Sequence, residues 1–120
     1  MRHRDVEQLK ERMKGFGISV IRLADRLPAG RAAAVVANQM VRSATSAGAN
    51  YRAACRARSK ADFISKMGIV EEEVDETLYW LEVSHEAGLL PRGEVDGLMQ
   101  EAEELLAIVV SSIRTAKRNP

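Results

Sequence analysis

The stretch SKADFISKMGIVEEEVDETLYWLEVSHEAGLLP, residues 59–91, decides the fold. It opens with Ser59-Lys60-Ala61-Asp62, the S-x-x-[DE] pattern of a capping box. There the serine and acid side chains satisfy backbone N–H groups that a helix start leaves open. Phe63, Met67, Val70, Val74, Leu78 and Leu81 follow at steps of three and four, the spacing of one apolar helix face. Gly88 and Pro91 mark the end, because glycine tolerates the left-handed cap and proline cannot continue a helix. A helix of about 28 residues spans roughly 42 Å, so its packing partners must be long as well.

The flanking sequence supplies three such partners. Upstream, Val6, Leu9, Met13, Phe16, Val20, Leu23 and Leu27 make a heptad-like stripe, weakened locally by Gly15 and Gly17 and ended by Pro28 and Gly30. A second helix is expected from about Arg31 to about Ala57, with Val36, Met40, Ala44, Ala47, Tyr51 and Ala54 on its apolar face. Its small side chains bury little area each, so it is expected to contact neighbours on more than one side. Downstream, Val95, Leu98, Ala102, Leu105, Val109 and Ile113 stripe a fourth helix from about Arg92 to about Lys117. Acids lie early in that helix and bases late, as the helix dipole favours. Four amphipathic helices joined by short turns predict an all-α, antiparallel up-down-up-down four-helix bundle, one domain over residues 1–120.

Composition agrees. Hydrophobic residues are 46%, charged residues 29% and aromatic residues 4%, which excludes a disordered chain and argues against a β-sandwich. Cys55 is the single cysteine, so no internal disulfide forms. No run of about 18 uncharged apolar residues is present, so no membrane span is expected. The opening Met1-Arg2-His3-Arg4-Asp5 has no apolar stretch, so no signal peptide is expected and the chain is placed in the cytoplasm.

Catalytic and metal chemistry find little support. Glu82-Val83-Ser84-His85 is half of the motif that a di-metal bundle needs, and His3 is the other histidine of the chain. Cys55 on an alanine-rich helix reads as a small buried hydrophobe. Consecutive acids at Glu71-Glu72-Glu73 point in different directions round a helix and read as a solvated or partner-facing surface. No catalytic residue, metal or cofactor is expected.

Charge is uneven. Residues 1–60 hold 13 Lys/Arg against 4 Asp/Glu, whereas residues 61–120 hold 5 against 13. Either a basic half lies against an acidic half, or a basic surface meets nucleic acid. For the second case the candidates are Arg42, Arg52, Arg56, Arg58 and Lys60; Arg52 and Arg56 share a helix face, with Arg42 within about 80°. Such a surface would hold RNA or DNA by its backbone. The mid-helix Asn50 and its neighbour Tyr51, with the bulky pair Tyr79 and Trp80, are the candidates for a subunit interface, and a homo-oligomer is expected.

Several runs carry a family resemblance: Arg42-Ser43-Ala44-Thr45-Ser46-Ala47-Gly48-Ala49-Asn50-Tyr51, then Ala57-Arg58-Ser59-Lys60-Ala61-Asp62-Phe63, Lys66, Ile69 and Glu76-Thr77-Leu78-Tyr79-Trp80-Leu81. Leu27-Pro28 and the closing Glu103-Glu104-Leu105-Leu106-Ala107-Ile108 fit as well. The chain resembles the four helix bundle proteins also called 23S ribosomal-RNA intervening-sequence proteins. That resemblance implies an antiparallel bundle assembling as a ring, commonly a homopentamer, without known enzymatic activity. A related branch, the accessory variability proteins of diversity-generating retroelements, binds nucleic acid and a reverse transcriptase; such a partner is implied by analogy alone. The chain departs from the family pattern at Ala53, where an acid is usual, and at Glu72-Glu73, where Lys-Glu is common.

Overall fold

Residues 2–119, described by a computed structural model, form four helices: α1 (His3–Ala24), α2 (Arg31–Ala54), α3 (Lys60–Glu86) and α4 (Arg92–Arg118). They run antiparallel in sequence order round a bundle of about 50 × 22 × 19 Å. Each packs on the next in the chain, α2 and α3 most extensively, while α1 and α4 meet least.

The expected stripes form the core. Leu9, Met13, Phe16, Val20 and Leu23 of α1 face Val36, Met40, Ala44, Ala47, Tyr51 and Ala54 of α2 within one apolar cluster. In α3 the buried line passes through Thr77 and Ser84, and Leu78 is half-buried beside it. The thin α1–α4 seam is held by charge: Arg12 grips Glu101 through both carboxylate oxygens (2.8 and 2.7 Å) and reaches Glu104 at 2.6 Å. Glu101 first, and Glu104 with it, hold the Arg12 guanidinium protonated more firmly than usual.

Local chemistry sets the ends. The Ser59 hydroxyl accepts the Asp62 N–H at 3.0 Å, while the Asp62 carboxylate accepts the Arg58 N–H at 3.2 Å, one residue before the usual reciprocal partner. The second helix closes at Ala54, three residues before the expected end. Arg56 N–H bonds Ala53 and Ala57 N–H bonds Ala54, a tight turn that satisfies the last carbonyls. Gly30 (φ 138°) precedes α2 and Gly88 (φ 76°) follows α3, backbone conformations that L side chains rarely adopt.

Candidate nucleic-acid interface

Up-down-up-down topology brings the start of α1, the end of α2, the start of α3 and the end of α4 to one pole. Val6, Tyr51, Phe63 and Thr115, one from each helix, line the same cavity there. Four of the five expected cations, Arg52, Arg56, Arg58 and Lys60, belong to this pole; all are exposed, and none forms an ion pair among the described residues. Arg2 and Arg4 at the start of α1 join them, as do Arg114, Lys117 and Arg118 at the end of α4, equally exposed and unpaired. Sequence halves concealed the three α4 bases, because they were counted with the acidic half. The signal was their place toward the end of an even-numbered helix, Lys117 and Arg118 in its last turn.

Two acids near the pole are engaged, whereas Asp5, in the first turn of α1, forms no ion pair among the described residues. Asp62 binds Lys66 at 2.6 Å, and that bond, then the Arg58 N–H, holds its carboxyl below the usual range. Glu7 binds Lys10 at 3.1 Å and is lowered by it. The pole therefore carries a strong excess of positive charge, suited to phosphate.

Arg42 lies apart. It sits at the waist of the bundle, where its guanidinium meets Glu73 at 3.2 Å and Glu76, so it leaves the free basic set. The antiparallel pairing of α2 and α3 explains this, placing residue 42 opposite 73–77. Thr77 Oγ1 is 2.8 Å from both the Ser43 hydroxyl and the Glu73 carbonyl, and Trp80 Nε1 donates to Glu76 at 3.1 Å. The Arg42-Ser43 and Glu76-Thr77-Leu78-Tyr79-Trp80 runs thus lock onto each other and set the register of α2 on α3.

The four candidate interface residues divide. Tyr51 is 2% exposed and enclosed by its own chain, so its ring is core and not a subunit contact. Burial first, and Cys55 second, push its phenol above the usual range. Asn50 donates to the Ser46 carbonyl and hydroxyl (2.9 and 3.0 Å), a local bond within α2. Trp80 is half-buried, and Tyr79, 55% exposed, stands edge-on to it at 5.1 Å. Beside Tyr79 on α3 lie the acids Glu72 and Glu76 and the exposed Ile69. On the other side of α2, a groove of about 430 Å³ runs between α1 and α2, floored by Met13, Gly17 and Ala44, with Ile18 and Ile21 exposed and Arg52 and Arg56 lining it. Cys55 is half-buried and lines the cavity at the basic pole. Among the described residues no three His, Cys, Asp or Glu side chains gather as a metal site, and no helix is long and apolar enough to cross a membrane.

Residues 7–111 match the family model described as 23S rRNA-intervening sequence protein. A crystal structure of a protein with unknown function from the S23 ribosomal protein family of Bacteroides thetaiotaomicron is similar, with a TM-score of 0.84 and 31% sequence identity over 91% of this chain and 97% of that one. No curated protein matches in sequence.

Proposed function

The chain belongs to the 23S rRNA-intervening sequence protein family, and from that premise we propose that it is a self-assembling, non-catalytic bundle whose basic pole holds the phosphate backbone of nucleic acid. The observation that carries the proposal is the convergence, on one end of the molecule, of nine exposed Lys and Arg side chains from the helix ends and the α2–α3 turn, unpaired among the described residues. Backbone binding needs clustered cations without a groove-reading element, and this pole offers that. Self-assembly is supported by apolar side chains left uncovered on two faces, Ile18 and Ile21 beside the α1/α2 groove and Ile69 and Tyr79 on α3. Contact between two unlike faces is heterologous and closes into a ring when its rotation allows. In a ring with parallel bundle axes every basic pole faces the same side, so the phosphate contacts multiply.

The test is fluorescence anisotropy of labelled structured RNA and duplex DNA over a salt series, with assembly mass set by light scattering. Micromolar binding that weakens steeply with salt is expected. Arg52→Glu with Arg56→Glu is expected to abolish it at moderate salt while helicity stays intact. Binding unchanged in that double variant overturns the nucleic-acid reading. Absence of binding even at low salt leaves a purely structural, adaptor-like oligomer.

A further inference from the structure

The cavity at the basic pole, about 680 Å³, falls within the range of about 300–1,000 Å³ typical of small-molecule sites. Its floor is apolar, with Tyr51 and Met67 buried beneath it, and Phe63 stands half-buried in its wall. Along α4 it is polar: the exposed Ser111 and Thr115 and the half-buried Ser112 line it, and their hydroxyls, open to solvent, make no hydrogen bond to other described residues. By contrast, Ser43, Thr45, Thr77 and Ser84 engage theirs with main-chain carbonyls. Among the described residues no acid lines the cavity, and the one charged lining residue is Lys60, which has no ion pair there.

Each of these features selects among occupants. A hydroxyl both donates and accepts, so three of them can meet the mixed donor and acceptor edge of a heterocycle. An alkyl chain would cover the same hydroxyls and leave them without partners, which is unfavourable. An aromatic wall offers a stacking surface that every base can use. The surrounding cations would meet the charge that such a group brings with it. A base inside a duplex cannot enter without unpairing and unstacking, which costs free energy.

We infer that this cavity receives one unstacked base of a single-stranded nucleic acid, with the flanking phosphates on the pole cations. The inference rests on the backbone-binding reading of the pole and adds a preference to it: exposed bases over duplex or bare backbone. Phe63 supplies the stacking surface, Ser111, Ser112 and Thr115 the hydrogen bonds, and Lys60 the charge at the cavity.

The test compares anisotropy of labelled oligothymidylate with that of an equally long strand of abasic deoxyribose phosphates, which carries the same charge. The base-bearing strand is expected to bind about tenfold more tightly at equal salt. Ala116→Trp, which fills the cavity from α4, is expected to bring the two affinities together while the abasic strand binds as before. A second readout uses the unsubstituted protein: alkylation of Cys55, a lining residue, slows in oligothymidylate and not in the abasic strand. Equal affinity for both strands, or equal Cys55 protection by both, overturns the cavity inference and leaves backbone binding standing. Absence of binding by either strand overturns the reading of the pole and this inference with it.

Discussion

Arg42 and Thr77 show how single side chains fix the α2–α3 register. Thr77 and Ser43 are fully buried, and each hydroxyl is the other's inter-helix partner. Thr77→Val is expected to cost about 1 kcal/mol, and Ser43→Ala a similar amount, because each leaves a buried hydroxyl short of a partner. The double variant is expected to cost less than the two together, a coupling that a denaturation double-mutant cycle reads directly. Glu76 makes the stability depend on pH. The bond from Arg42 first, and that from Trp80, hold its carboxyl below the usual value of 4.5. A lowered folded value means that the stabilisation is present above about pH 4.5 and is lost as pH falls through the folded value. The denaturation midpoint is therefore expected to drop on acidification, and Arg42→Gln to flatten that drop without removing it, since Glu7 and Asp62 are lowered as well.

At the scale of the element, the two glycines that weaken α1 prove unlike. A Cβ at Gly17 would lie 3.5 Å from the Ala44 carbonyl, at the crossing of α1 and α2, whereas a Cβ at Gly15 would meet nothing within 4 Å. Gly15→Ala is thus a pure propensity change and is expected to raise stability by up to about 1 kcal/mol, visible as a higher thermal midpoint. Periodicity made α1, α3 and α4 readable because their bulky apolar residues mark one face. The end of α2 was less readable: Cys55, Arg56 and Ala57 have no helix breaker among them, and three-residue hydrogen bonds close the turn there. Leu78 follows the apolar spacing, yet Thr77 takes the inward position because Ser43 stands opposite it.

For the whole molecule, the question is which faces remain uncovered. Ile18 and Ile21 are 41% and 40% exposed on the α1/α2 face, and Ile69 and Tyr79 are exposed on α3. Ile18→Lys with Ile21→Lys is expected to lower the assembly mass measured by light scattering, as is Tyr79→Lys, with helicity preserved in both. An unchanged mass in both would remove these faces from the assembly. Bases of the first two helices and the turn after α1 meet acids of the last two, as Arg12–Glu101, Arg26–Glu94 and Arg42–Glu73, so a basic half does lie against an acidic half, while the cations of the basic pole stay unpaired among the described residues.

The sequence by itself determined the four helices, their core faces, the capped start of α3 and the up-down order, because helix periodicity, caps and short turns are local properties of the chain. Tertiary structure alone decided which charges stand free. Ion pairing depends on residues far apart in sequence: Arg42 meets Glu73 and Glu76, Arg12 meets Glu101, and Arg2, Arg4 and Arg118 come to the pole of Arg52 and Arg56 only when the helices pack antiparallel. Tyr51 likewise moved from candidate interface to core because only packing shows what encloses a ring.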